Sequence, residues 1–138
     1  MDTDDFLLRP VGQVESPLTD PADAPRQGDE GAPDAVLVLA DEVADAARDI
    51  RPGMELLVLT WLHLADRSTQ VVHPRGDRTR PQEGVFTTRS PDRPNPIGLH
   101  RVRVRGVDGL RVTVGQLEAL DGTPIIDVKP VIGSSDER

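Results

Sequence analysis

The stretch IGLHRVRVRGV, Ile97 to Val107, decides the fold class of this 138-residue chain. Leu99, Val102, Val104 and Val107 are set against His100, Arg101, Arg103 and Arg105, and from Arg101 to Arg105 apolar and cationic residues alternate strictly. Successive side chains of a strand point to opposite faces, so a period of two predicts a strand with one face in a core and one wet, cationic face. Asp108-Gly109 is a hairpin signal, and Arg111 to Gln116 (RVTVGQ) alternates back as the antiparallel partner.

Working outward, Glu55 to Leu64 (ELLVLTWLHL) is the most apolar segment. It is shorter than the roughly 20 residues of a membrane span, and its Val, Leu and Thr content predicts the central buried strand. Phe6 to Val14 reads as a first strand, punctuated by Pro10 and Gly12 and ended at Ser16-Pro17. After a Pro-, Asp- and Gly-rich loop over 17–34 comes the apolar run Val36 to Leu39. Asp41 then caps a helix through Asp49, with Val43, Ala46, Ala47 and Ile50 at helical spacing and Pro52-Gly53 as its stop. Gly84 to Thr88 and Ile125 to Val131 add strands, separated by an Arg-rich loop at 73–83 and a proline-rich one at 89–96. No βαβ rhythm exists, so the expectation is an all-β chain, with α+β as the alternative: a small, mostly antiparallel β-barrel with one short helix. One domain fills residues 1–138, with 1–5 and 133–138 frayed.

Hydrophobic residues make up 36% of the chain and aromatics 2%, so Val, Leu, Ile and Ala must build the core. The absence of cysteine excludes disulfides, cysteine-ligated metals and a thiol nucleophile. His63, His73 and His100 are too few and too scattered to suggest a metal site, and none is expected. Asp2, Asp4 and Asp5 replace the basic start of a signal peptide, which points to the cytoplasm. The net charge of −8 is unevenly spread: residues 1–50 hold 13 acids against 3 bases, whereas 67–111 hold 10 Arg against 4 acids. Arginine suits bidentate phosphate or carboxylate contacts, although the Arg-for-Lys bias of a GC-rich genome explains the composition equally well. Glycine-rich nucleotide loops, HExxH and GxSxG are all missing, which removes the standard nucleotide-binding, zincin and hydrolase readings.

Three segments are more polar and more constrained than plain connections require. Pro25-Arg26-Gln27-Gly28 can offer backbone groups to the edge of a ligand, or can be a solvent loop. In Arg89-Ser90-Pro91-Asp92-Arg93-Pro94-Asn95-Pro96, three prolines stiffen a loop carrying Arg89, Arg93 and Asn95, suited to a carboxylate or phosphate. In LDGTPIIDVKP, Leu120 to Pro130, Asp127 and Lys129 share a strand face, either as a structural ion pair or as paired charges at the mouth of a site.

Together with VGQVESP (Val11 to Pro17), the strand ending at His63 and the run GVFTTRSPDRPNPIGLHRV (Gly84 to Val102), these segments resemble the TsaA-like family, the TrmO family of S-adenosylmethionine-dependent tRNA methyltransferases. The resemblance covers nearly the whole chain in order. It implies a β-barrel that binds S-adenosylmethionine without a Rossmann fold, as a homodimer with pockets near the subunit interface. It carries cofactor contacts onto Pro25, Arg26 and Gln27, His63 and Leu64, Arg89, Leu99, and Ala119, Leu120, Asp121 and Gly122. Family members often have Gln where Leu64 stands, a change that a backbone contact survives and a side-chain contact does not. The implied acceptor is N6 of threonylcarbamoyl-adenosine beside the anticodon of tRNA. That urea-like nitrogen is a weak nucleophile, so a base or oriented acceptor helps, with Asp121, Asn95 and Asp127 as catalytic candidates. Arg93, Asn95 and Lys129 are candidates for the substrate, and Arg89 or Arg93 for a carboxylate of methionine or of the threonyl group. The chain reads as a short form without the extra C-terminal domain of longer members. A methyltransferase acting on a small molecule, or a barrel that binds a ligand without catalysis, are the alternatives.

Overall fold

In the computed structural model, residues 5–20, 22 and 31–133 are described. Six strands form one antiparallel sheet that closes on itself: β1 (Gly12–Glu15), β2 (Ala35–Leu39), β3 (Glu55–Trp61), β6 (Ile97–Asp108), β7 (Arg111–Val114) and β8 (Pro124–Pro130). Around the closed barrel their order is β1-β2-β7-β6-β3-β8. A separate two-stranded sheet pairs β4 (Val71–Val72) with β5 (Glu83–Gly84). The expectation of a mostly antiparallel, mostly β chain with one short helix, α1 (Ala44–Ala47), is borne out.

Alternation explains the barrel wall. In β3, Leu56, Val58 and Thr60 point inward, and in β6 the inward set is Gly98, His100, Val102 and Val104. With Val14, Leu37, Val112, Val114, Leu117 and Ile125 these aliphatic residues make the core. It holds no aromatic ring: Phe6 and Phe86 are about four-fifths exposed (79% and 81%), and Trp61 is half-buried. Closure comes from β6, which pairs with β3 from Ile97 to Arg103 and with β7 from Val104 onward. An irregularity between Val104 and Gly106 leaves Arg105 without a cross-strand partner and bends the strand from one neighbour to the other. Gly109, with φ of 59°, makes the tight turn into β7.

Several local expectations change. Leu99 lies on the outer face and His100 on the inner one, the reverse of the sequence reading, because the inward parity of Val102 and Val104 runs unbroken back to Gly98. The first strand begins only at Gly12, two residues after Pro10, which has no N–H for the ladder. Gly84 to Thr88 is not a strand: the hydroxyls of Thr87 and Thr88 donate to the carbonyls of Gly84 and Val85, each at 3.0 Å, and fold the chain into a 3-10 turn. The helix is cut to a 3-10 turn at Asp41–Val43 followed by α1, and no side chain caps it. The acidic N-terminus and the C-terminal residues from 134 lie outside the described residues.

The arginine-rich outer face of β6 is largely matched by acids. Glu55 lies 3.1 Å from Arg101 and 3.5 Å from Arg103, Asp34 is 3.3 Å from Arg105, and Glu15 is 2.6 Å from Arg111. Hydrogen bonding from Arg101 is the main cause that holds the Glu55 carboxyl below its usual range. A carboxylate lowered in this way adds stability that is present above its unfolded pKa and lost as pH falls through the folded one. Glu55→Gln should therefore lower the melting temperature slightly at pH 7, with the gap to wild type closing by about pH 2–3 in thermal melts.

Candidate functional site

Antiparallel closure places the long connections together. β1 and β3 end, and β6 and β8 begin, at the same rim, because Trp61 faces Ile97 and Thr60 faces Ile125 across their ladders. β2 begins and β7 ends there too, since Ala35 faces Val114. The long connections that follow β1, β3 and β7 therefore leave the barrel at one end; among the described residues they carry the proline-rich loop at 89–96 and Ala119 to Gly122. The opposite end has the chain leading into Gly12, the 40–54 connection, the Asp108–Arg111 hairpin and the chain after Pro130.

The proline-rich loop is fastened rather than loose. Arg93 Nη1 donates to the carbonyls of Thr88 (3.1 Å) and Ser90 (3.0 Å). Arg67 donates to the carbonyl of Pro94 at 2.8 Å and to Asn95 Oδ1 at 3.1 Å, and its guanidinium lies over the Trp61 ring, 5.1 Å from the centroid. The Asp66 N–H donates to Asp92 Oδ1 at 2.8 Å, and the Leu62 N–H to the Pro96 carbonyl at 2.8 Å. Two of the side chains expected at a substrate, Arg93 and Asn95, thus help to hold the loop. Arg89 is exposed and makes no side-chain hydrogen bond or ion pair among the described residues. A planar cation on a braced backbone, with its donors unspent, is suited to an anion.

The connection at 115–123 ties the rim together. Its Asp121 and Gly122 N–H groups donate to the carbonyls of Leu18 and Val14, each at 2.7 Å, and Leu117 N–H donates to Pro33 O at 3.0 Å. Asp121 Oδ1 accepts the Ser16 N–H at 3.0 Å, and Thr123 Oγ1 donates to Leu120 O at 2.7 Å. A polar chain missed from sequence secures the same segment from inside. His100 Nδ1 is 2.5 Å from Glu118 Oε1 and its Nε2 is 2.7 Å from Thr60 Oγ1, all three groups being buried or nearly so. A neutral imidazole protonated on Nδ1 satisfies both contacts, donating to the carboxylate and accepting from the hydroxyl. Gly98 makes room for this: a Cβ there would sit 2.4 Å from Thr60 Oγ1 and 2.8 Å from His100 Nε2. The available signal was strand parity, which puts position 100 inside whenever 102 and 104 are inside.

The remaining expected residues fall in two places. At the rim, His63 and Leu64 are exposed just beyond β3, Leu64 at 63%, and Ala119, Leu120, Asp121 and Gly122 line the 115–123 connection. On the outer wall, Leu99 faces Leu59 across the ladder, and Leu59 faces Asp127 on its other side. Asp127 and Lys129 form an ion pair at 3.1 Å, and Asp127 Oδ1 also accepts the Val128 N–H at 2.9 Å. Ile126, left out of the β3–β8 register, sits at this bulge beside the rim. Pro25, Arg26 and Gln27 lie outside the described residues. Among the described residues no group of three His, Asp or Glu side chains is placed to hold a metal, and no helix is long and apolar enough to cross a membrane.

An all-antiparallel closed barrel that brings its three long connections to one rim, without a glycine-rich strand–helix turn, is a β-barrel domain of a different architecture from the α/β nucleotide folds. Its kind is narrower than that. The model of the tRNA-methyltransferase O N-terminal domain matches residues 13–137, and the chain belongs to this family. Among its relatives, an S-adenosyl-L-methionine-binding protein of Archaeoglobus fulgidus is 43% identical over 124 residues, covering 90% of this chain and 88% of the relative. A probable S-adenosyl-L-methionine-binding protein of Methanothermobacter thermautotrophicus is 42% identical over 126 residues, covering 91% and 90%. The crystal structure of a TrmO superposes with a TM-score of 0.77 at 29% identity, covering 97% of this chain, and that of TrmO from Pseudomonas aeruginosa with 0.72 at 27%. The chain spans 61% and 59% of the length of those two TrmO chains.

The buried polar chain generates a direct test. Glu118→Ala leaves the His100 Nδ1–H without its acceptor and should cost about 1–3 kcal/mol in urea unfolding, whereas Glu118→Gln, which keeps an acceptor, should recover most of that loss.

Proposed function

We propose that this chain is an S-adenosylmethionine-dependent methyltransferase acting on tRNA in the cytoplasm, with N6 of threonylcarbamoyl-adenosine beside the anticodon as acceptor. The observation that carries the reading is Arg89: an exposed guanidinium on a braced loop, without a side-chain partner among the described residues, on the connection that leaves the barrel at the same end as Ala119 to Gly122. Family membership and relatives named for S-adenosyl-L-methionine binding support the cofactor.

The residues present fit that group. Arg89 suits the methionyl carboxylate by charge and fork geometry. Leu64 and Leu99, exposed at 63% and 45%, offer apolar contact to the adenosyl part, and Ala119 to Gly122 offer backbone beside it. Pro25, Arg26 and Gln27 complete the set by resemblance. When bound, the cofactor supplies an electrophilic methyl group that an acceptor nitrogen takes in line. The protein's share is alignment and acceptance of a proton from that nitrogen. Asp121 is the best placed of the three candidates: the Ser16 N–H fixes one carboxylate oxygen and leaves the other free to accept. Asn95 has its oxygen engaged by Arg67, which turns its amide N–H groups toward any carbonyl of the substrate. Asp127 and Lys129 neutralise each other and act as a pair on the outer wall.

That wall also supports a homodimer. Leu59 beside Leu99, and Trp61 beside Ile97, leave half-exposed apolar side chains on adjacent outward positions of β3 and β6. Charged groups, Glu55, Arg101 and Arg103 on one side and Lys129 and Asp127 on the other, form its rim, the arrangement of a subunit interface. A second copy there would cover Leu99 and bring its own residues to the pocket. Sedimentation should give twice the chain mass, and Leu99→Arg should shift it to the monomer; a monomeric wild type would refute the dimer.

A small-molecule acceptor is the second reading, favoured by the pairing of Arg101, Arg103, Arg105 and Arg111 with acids, which leaves little free cationic wall for a polyanion. Calorimetry with S-adenosylmethionine should show Arg89→Ala losing about 1.5–3 kcal/mol of binding; an unchanged affinity would remove Arg89 from the site. Methyl transfer to tRNA from a strain lacking its own enzyme should follow and be abolished by ribonuclease. Transfer persisting in an RNA-free extract selects the small molecule, and no turnover with either reduces the barrel to a binding module.

A further inference from the structure

The excursion between β3 and β6 carries one feature that the cofactor site does not use. Phe86 stands 81% exposed on the 3-10 turn Val85–Thr87, while its neighbour Val85 is buried at 3%. The turn itself is firm: Val85 N–H donates to Gln70 O at 2.9 Å, Thr88 N–H to Val85 O at 3.0 Å, and the Thr87 hydroxyl to Gly84 O at 3.0 Å. A cleft of about 400 Å³ lies beside the ring, lined by Gln70, Gly84, Val85, Thr87 and Pro94. Arg78 and Arg89 on the same excursion make no side-chain hydrogen bond or ion pair among the described residues, in contrast to the paired arginines of β6 and β7.

An outward phenyl ring on an ordered backbone beside a cleft, with the unpaired guanidinium of Arg78 on the same excursion, is a combination suited to single-stranded nucleic acid. The ring offers a face to an unpaired base, and Arg78 meets a flanking phosphate. Resting on the tRNA reading above, we propose that Phe86 is the stacking platform for an unpaired base of the RNA substrate, with Gln70 at the base edge and Arg78 on the backbone. The arginine excess then acts from this excursion rather than from the paired arginines of β6 and β7.

The test compares wild type, Phe86→Ala, Phe86→Trp and Arg78→Ala for binding of total tRNA across a salt series, with S-adenosylmethionine calorimetry and sedimentation on each. Phe86→Ala should weaken tRNA binding about ten-fold with its salt slope, cofactor affinity and mass unchanged. Phe86→Trp, which keeps a ring face, should bind tRNA as wild type does, and Arg78→Ala should lower the salt slope by about one. If Phe86→Ala binds tRNA normally, or changes the oligomeric state, the platform is overturned while methyl transfer by the wild type leaves the functional reading standing. Wild-type protein that binds no tRNA overturns both.

Discussion

β6 is shared between two partners, and the rest of the molecule depends on that sharing. Its first half completes the ladder of β3 and its second half that of β7, with the change of partner at the bulge around Arg105. A twelve-residue strand serving a single neighbour would leave an open edge. Bent at the bulge, it joins the β3–β8 side to the β1–β2–β7 side, and the short β1–β8 pairing of Gly12 and Gln13 suffices to close the sheet. The inward parity set by Val102 and Val104 then extends to Gly98 and His100, and the barrel interior must accept an imidazole where it meets the rim.

That imidazole links the wall to the candidate site. Buried polar groups persist only when paired, and the partners of His100 come from β3 and from the 115–123 connection. The connection that carries Ala119 to Gly122 is consequently held from inside by Glu118 and from outside by backbone bonds to Val14 and Leu18. Across the rim, arginine side chains perform the same service for the 88–96 loop, whose prolines have removed the N–H groups that would otherwise anchor it. Binding loops built this way have little entropy left to lose, which is the advantage of spending Arg67 and Arg93 on structure.

Charge is distributed by the same logic. Two acids of the first third, Asp34 and Glu15, face Arg105 and Arg111 across the barrel wall, so part of the contrast visible along the chain cancels in space. Local composition could not reveal this, because Glu15 and Arg111 are 96 residues apart in sequence. Arg78 and Arg89, which make no side-chain bond among the described residues, sit on the long excursion from β3 to β6 that also carries the exposed Phe86.

The amino-acid sequence by itself determined the strands with a clear period of two, β6 and β7 with their Asp-Gly hairpin, and the aliphatic β3. It also specified the three motif segments, because proline, glycine and alternation act through nearest-neighbour sterics and need no other part of the chain. It misplaced Leu99 and His100 because polarity alone suggests that a histidine faces water; the inward parity and the partners at Thr60 and Glu118 belong to other strands and loops. It made a strand of Gly84 to Thr88 because threonine and valine favour extended chain, whereas two hydroxyl-to-carbonyl bonds turn the backbone. Only the tertiary structure decided which arginines are paired, that the 89–96 loop and Ala119 to Gly122 share one rim, and which polar groups hold that rim together. Each of these is a relation between residues tens of positions apart, fixed by the order and direction in which the strands close.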